Sequence, residues 1–174
     1  MLGISVYDVQ LLSAVFTLSL AANFLLTSAN GLREQKSKAN WKAVINLAFF
    51  AVVIATGGYV TLFYPAVSLE VPWLPSWLIV LSGALFGALI LNLRRAAGLG
   101  ILLVVSVFLA YGLFGHFLSG DIQSRQTTPT ELIVYLMIDP NGVLGTALKV
   151  AVTIVIPYLL FGQLLVTCGA ANFF

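Results

Sequence analysis

Long apolar stretches constrain this chain more than any other feature of its sequence. Each has about 18 residues or more, enough for a helix to cross a hydrocarbon core of about 30 Å. There are five, at residues 9–29, 43–63, 76–93, 98–118 and 142–174. Hydrophobic residues make up 60% of the chain and charged residues only 8%, whereas soluble domains are about 25% charged. The sequence therefore predicts an all-α integral membrane protein with about five transmembrane helices.

A shorter helix is predicted near residues 129–138, between the fourth and fifth stretches. Thr128 and Glu131 match a capping box, Pro129 takes the first helical position, and an apolar run comes next. About ten residues are too few to cross a bilayer, so we expect this helix to lie at the interface or to re-enter the membrane. The turn signal Asp139-Pro-Asn-Gly142 then separates it from the fifth stretch.

The basic residues near the helix ends predict one orientation. The four successive connections carry four, none, two and one Lys or Arg. Positive charge marks cytoplasmic loops, so residues 31–42 are predicted to be cytoplasmic and the N-terminus external. Asp8 precedes the first apolar run and the positive residues come after it. That charge order is the reverse of a cleavable signal peptide.

Polar and small residues within the apolar stretches predict helix packing. Ser19, Asn23, Thr27 and Asn30 recur at spacings of four, four and three, so they lie on one face of the first helix. Such side chains form hydrogen bonds between transmembrane helices. Gly83-x-x-x-Gly87 in the third helix matches a motif for close helix approach.

The fifth stretch carries a polar stripe that contains a lysine. In a regular helix the stripe would lie within roughly 40° of Lys149, and it consists of Gly142, Gly145, Lys149, Thr153, Gln163 and Thr167. A lysine near the bilayer centre costs about 2.5–3.5 kcal/mol, so we expect this face to pack against protein rather than lipid. Proline removes a backbone hydrogen bond, so a kink is expected at Pro157.

No catalytic, metal or cofactor site is predicted. The chain has one cysteine, Cys168, and one histidine, His116, and we find no pair of carboxylates at membrane depth. Enzymes need converging acid, base or nucleophilic groups, so the sequence predicts a protein that is not an enzyme. We interpret Cys168 as a packing residue and His116 as an interfacial structural residue. A net charge of +2 does not favour nucleic acid as a partner.

Four segments, in order, resemble the fused permease of TRAP (tripartite ATP-independent periplasmic) transporters. They are LRRAAG at 93–98, YGLFGHFLSG at 111–120, NGVLGTALKVAVT at 141–153 and LFGQLLVTCGAANFF at 160–174. The resemblance covers roughly the second half of the chain. It departs from the family's pattern at Lys149, in a stretch usually written Leu-Gly-Val-Ser-Ala-Thr, and at Gln163, where a small residue is common.

The resemblance implies three parts: a four-helix small membrane unit at 1–120, an external loop with the short helix at 121–141, and the first helix of a large transport unit at 142–174. It implies a carrier in a bacterial or archaeal inner membrane that imports organic acids of the C4-dicarboxylate type, driven by sodium. A periplasmic substrate-binding protein and the remainder of the transport unit would be its partners. The family's substrate and ion sites would lie beyond Phe174, and Lys149, Thr153, Gln163 and Thr167 would form a packing face.

A second hypothesis stays open at the level of sequence. The chain would then be a self-contained small membrane protein, an assembly or structural subunit without transport activity. Sequencing the gene past the codon for Phe174 separates the two hypotheses. Several hundred further residues with a transmembrane pattern would favour the transporter.

Overall fold

A computed structural model describes residues 8–33, 37–117 and 123–169, and this part of the chain is helical with no β-strand. The helices are α1 (Asp8–Arg33), α2 (Ser37–Glu70), α3 (Ser76–Ala96), α4 (Gly98–Phe114), α5 (Pro129–Ile138), α6 (Thr146–Val150) and α7 (Ile156–Thr167). Five apolar helical segments are long enough to cross a membrane, the last running without a break from Thr146 to Thr167. This confirms the all-α class and the five candidate spans. We call Thr146–Thr167 the closing helix.

The helices run alternately up and down, so the described charges fall at two ends. The acidic end holds every described carboxylate: Asp8, Glu70, Glu131 and Asp139. The basic end holds Arg94 and Arg95 in the last turn of α3. This alternation of ends agrees with the connections read from the sequence. External placement of the acidic end stays a prediction.

The longest interface joins α1 and α2, and its polar residues differ from those predicted. The buried face of α1 includes Ser13, Thr17 and Ser28. Ser19 is exposed, and the Thr27 hydroxyl donates to the Asn23 carbonyl of its own helix (2.8 Å). Asn23 and Thr27 are half-buried, so the predicted stripe lies at the edge of the packing face, and the side chain of Asn30 lies outside the described residues. The true face has a similar helical spacing, so periodicity could not choose between the two.

Small residues bring α1 and α2 into close contact. A Cβ atom at Gly57 would lie within 2.9 Å of three side-chain atoms of Thr17. One turn away, the Ser13 hydroxyl donates to Thr61 Oγ1 (3.0 Å), and the Thr61 hydroxyl donates to the Gly57 carbonyl (2.9 Å). The missing side chain of Gly57 thus sets the separation of these two helices.

Helix α2 is longer than predicted. The apolar pattern predicts its end at residue 63, but the helix kinks at Phe63 (φ −108°, ψ 20°), accommodates Pro65 and continues to Glu70. Proline removes one backbone hydrogen bond and bends a helix, and the next turns can still form. A 3₁₀ turn, Val71–Trp73, then leads to α3.

The basic end is held by Arg95. Its guanidinium donates to Asn46 Oδ1 (2.8 Å) and lies over the ring of Phe24 at 5.5 Å. One arginine thereby ties α3 to both α1 and α2. The predicted close approach at Gly83 and Gly87 is not made within the described chain, where no atom lies within 4 Å of a Cβ built at either position.

Candidate functional site

The short helix α5 forms as the sequence predicted. Glu131 N–H donates to Thr128 Oγ1 (3.3 Å), and Thr128 N–H donates to Glu131 Oε2 (2.8 Å), which completes the capping box. The backbone N–H of Thr128, followed by its side-chain hydroxyl, holds the pKa of the Glu131 carboxyl below its usual value, with a smaller contribution from the charge of Arg125. The capping box fixes where α5 begins.

Helix α5 packs into the acidic end of the bundle. Val134, Met137 and Ile138 are each at most 2% exposed, and they join a core cluster with residues of α2 and α3. The Tyr64 hydroxyl, from just beyond the kink in α2, donates to the Ile138 carbonyl (3.1 Å). One face of α5 is therefore covered by protein, so this helix is an integral part of the bundle.

The turn after α5 depends on Gly142. Asn141 N–H donates to Asp139 Oδ1 (2.8 Å), and Val143 N–H donates back to the Leu136 carbonyl (2.8 Å). A Cβ atom at Gly142 would lie 2.6 Å from the backbone oxygens of Leu136 and of the residue before it. The chain reverses here, so the closing helix begins at Thr146 and not at 142 as predicted.

The later start moves Lys149 to the end of the membrane span. Lys149 is the fourth residue of the closing helix, about 5 Å from its beginning. Its ammonium lies 2.7 Å from Asp8 Oδ2 at the start of α1, with side chains 54% and 75% exposed respectively. The cost of a lysine at the bilayer centre, on which the stripe prediction relied, therefore does not arise. The lysine instead attaches the closing helix to α1.

A π-helical turn divides the predicted stripe. It spans Ala151–Val155 and ends two residues before Pro157, and Ile156 N–H donates to the Ala151 carbonyl five residues earlier. One additional residue in a turn rotates the later part of the helix by about 100° relative to a regular α-helix. Gln163 and Thr167 are thereby turned away from the face of Lys149. Proline is accommodated by this turn instead of by a break in the helix.

The closing helix is exposed along almost its whole length. No residue from Thr146 to Thr167 is buried. The Thr153 and Thr167 hydroxyls donate to carbonyls of their own helix, at Lys149 and Gln163 (2.8 Å each). The Gln163 amide takes part in no hydrogen bond with the described residues. Of the predicted packing face, only Lys149 therefore has a partner on another helix.

A cavity of about 560 Å³ lies at the acidic end, and no pattern in the sequence predicts it. Its walls come from the 3₁₀ turn, from α4, from the extended residues before α5 and from α5 itself. The lining residues are Val71, Pro72, Leu74, Gly112, Ser124, Arg125, Gln126, Thr127, Glu131, Leu132, Val134 and Tyr135. The 3₁₀ turn is far in sequence from the other three segments, of which the last two are adjacent. Their only shared signal was their predicted place on the same side of the membrane.

The residues weighed for reactive chemistry are dispersed. His116 Nδ1 lies 3.0 Å from the Leu113 carbonyl, and its ring packs on Phe117. Cys168 is an exposed thiol at the other end of the molecule. Within residues 8–33, 37–117 and 123–169, no three His, Cys, Asp or Glu side chains group as metal ligands.

Comparisons with family models, with curated proteins and with solved structures give no match. The fold alone indicates the class, a multi-pass, all-α membrane protein with five candidate spans.

Proposed function

We propose that the chain is the membrane scaffold of a sodium-coupled, TRAP-type secondary transporter. It would import organic acids of the C4-dicarboxylate type delivered by a periplasmic substrate-binding protein. Helices α1 to α5 would brace the transporter, and the closing helix would be the first helix of its moving transport unit. The ordered motifs at 93–98, 111–120, 141–153 and 160–174 supply the family in this proposal.

The observation that carries the proposal is the exposure of the closing helix. It is 22 residues long, about 33 Å, and it is attached at one end by the turn at Gly142 and by the pair of Lys149 with Asp8. Gln163 lies about 6 Å from the far end of the span at Thr167. Its side-chain amide has no hydrogen-bond partner among the described residues. Further helices of a transport unit would cover this length and supply that partner.

Helices α1 to α5 are connected to one another in the way that a rigid supporting unit requires. Tyr64, Arg95 and Gly57 each connect separate helices through short contacts, and the buried face of α5 fills the acidic end. A rigid body that holds one helix by a single end allows the rest of that helix to pack against, and move with, another unit.

Transport is tested with the full-length gene expressed together with its binding protein. Cells are given labelled succinate and a panel of other small carboxylates, with sodium or with potassium in the buffer. We expect accumulation of at least one carboxylate that depends on sodium. Absence of uptake for the whole panel, with both proteins confirmed in the membrane fraction and periplasm, contradicts transport.

Assembly is tested with a photo-cross-linking residue at Gln163 and, as a matched control, at Leu103. Both positions are exposed, and Leu103 lies on α4, whose exposed face is apolar. We expect protein adducts from position 163 and lipid adducts alone from position 103. Lipid adducts alone from both positions, with a monodisperse chain on purification, would favour the self-contained subunit.

A further inference from the structure

The cavity at the acidic end has the dimensions and lining of a binding site for an amphiphile. Its volume, about 560 Å³, falls within the range of about 300–1,000 Å³ that ligand pockets occupy. Most of its lining is apolar, with side chains such as Leu74, Leu132 and Tyr135, and Arg125 and Glu131 are the charged residues among it. A ligand that complements both kinds of lining residue has an apolar body and a charged head.

The cavity lies at the level where lipid headgroups meet acyl chains. Gly112, on its wall, is five residues before the end of the fourth candidate span at Phe117, about 7.5 Å along the helix. Pro72 and Leu74 belong to the connection between α2 and α3. The cavity thus reaches from the interface into the outermost part of the hydrocarbon region, which is the depth of a phospholipid's glycerol and first methylenes.

The two charged groups at the cavity have unused hydrogen-bonding capacity. The Arg125 guanidinium has no carboxylate within 4.0 Å and no hydrogen bond among the residues that the structure describes. Glu131 Oε2 accepts from Thr128 N–H, while Oε1 has no partner in that part of the chain. One cation and one anion therefore line the same cavity, and a head that carries both charges would complement them.

We propose that this cavity binds one phospholipid with a primary-ammonium headgroup, of the phosphatidylethanolamine class. The phosphate would accept hydrogen bonds from Arg125, the ammonium would donate to Glu131 Oε1, and one acyl chain would lie against Leu132 and Tyr135. Choline carries the same charge without N–H donors, so it satisfies Glu131 less well. The site does not depend on the transporter proposal, because none of its residues belongs to the closing helix.

A larger side chain at position 112, in place of the glycine, would fill part of the cavity. A Cβ atom built there would make ordinary contact, 3.6 Å, with both terminal methyls of Leu132. Gly112→Leu would therefore extend into the space between α4 and α5 without a backbone clash. Gly100→Leu, on the same helix and with no atom within 4 Å of its Cβ, is the matched control.

The test is lipid retention by the full chain, measured by native mass spectrometry after delipidation and addition of one lipid at a time. The lipids are phosphatidylethanolamine, phosphatidylcholine and phosphatidylglycerol with identical acyl chains, and soluble glycerophosphoethanolamine provides the head alone. We expect one tightly retained phosphatidylethanolamine, held about tenfold more tightly than phosphatidylcholine. Arg125→Gln, Glu131→Gln and Gly112→Leu should each weaken it about tenfold, while Gly100→Leu retains it.

Several results would overturn the proposal. One is equal retention of the three lipids. Another is unchanged retention in Gly112→Leu, and a third is tight binding of the soluble head without the lipid. Glu131→Gln keeps a side-chain acceptor for the capping box, so weaker lipid retention in this variant is not explained by loss of helix α5. A preference for phosphatidylglycerol that survives Glu131→Gln would show that the ammonium contact is not made.

Discussion

Replacement of Gly57 by alanine tests the packing of α1 on α2 most directly. The new Cβ atom would lie within 2.9 Å of three Thr17 side-chain atoms, including the Thr17 Cβ. Rotation about χ1 can move the Thr17 hydroxyl and methyl, but it cannot move the Cβ atom. The hydroxyl is also held by the Ser13 carbonyl (2.7 Å), and both Thr17 and Gly57 are buried. The two helices must therefore separate to admit the methyl group.

Gly58→Ala is the reference variant for the size of the stability loss in Gly57→Ala. A Cβ atom at Gly58 has no atom within 4 Å, so Gly58→Ala gains the same helix propensity without a clash. The difference in free energy of unfolding between the two alanine variants therefore measures the cost of overpacking, which is about 1–3 kcal/mol. We expect Gly57→Ala to be less stable than Gly58→Ala by that amount. Reversible unfolding in mixed micelles of mild detergent and dodecyl sulfate, followed by circular dichroism, measures the free energies.

A double-mutant cycle completes the test. Thr17→Ala removes two of the three clashing atoms, so it should restore part of the stability lost in Gly57→Ala, with an interaction energy of about 0.5–3 kcal/mol. Equal stability of Gly57→Ala and Gly58→Ala, or no rescue by Thr17→Ala, would refute the claim that this contact sets the helix separation.

Three further predictions concern the acidic end. Gly142→Ala should lower stability by about 1–3 kcal/mol, because its Cβ would meet backbone oxygens that cannot rotate away; thermal unfolding should show no such loss for Gly162→Ala, where the Cβ is unobstructed. The pKa of Glu131 is lowered on folding, so its stabilisation of α5 is complete above the ordinary value of 4.5 and is lost as pH falls through the folded value. Hydrogen exchange of α5 amides should accelerate in that acidic range in the native chain but not in Glu131→Gln. Asp8→Lys removes the ion pair with Lys149, so it should speed amide hydrogen exchange at the start of the closing helix. Adding Lys149→Asp restores a pair of opposite charges and should reverse the effect. If the double variant exchanges as fast as Asp8→Lys, the ion pair does not hold the helix.

The acidic end has two separate features, the attachment of the closing helix and the cavity. The turn at Gly142 and the Lys149–Asp8 pair hold the closing helix, and the cavity lies between the 3₁₀ turn, α4 and α5. A bound phospholipid would fill the space between the 3₁₀ turn, α4 and α5. It would thereby stiffen the body from which the closing helix extends.

Hydropathy and local motifs were enough to predict the elements. A span needs about 20 apolar residues whatever its neighbours are, so composition alone identified the five segments. The capping box at Thr128 and the turn at Asp139 involve residues at most a few positions apart, so their hydrogen bonds are set by the local sequence. The all-α class and helix α5 therefore needed no tertiary information.

The faces and partners of those helices were decided by tertiary contacts. Periodicity predicted that Asn23 and Thr27 lie on the packing face of α1. In the structure the buried face is the neighbouring one, which contains Thr17, and Thr17 contacts Gly57 of α2. A regular helical projection aligned Gln163 with Lys149, but the π turn before a proline separates them. The cavity joins segments up to about 60 residues apart, from Val71 to Tyr135, and no local pattern encodes such a meeting. Sequence determined which segments enter the membrane because that choice depends on each segment's own transfer free energy. Which faces meet depends on close contacts between distant residues, and only the folded structure supplies these.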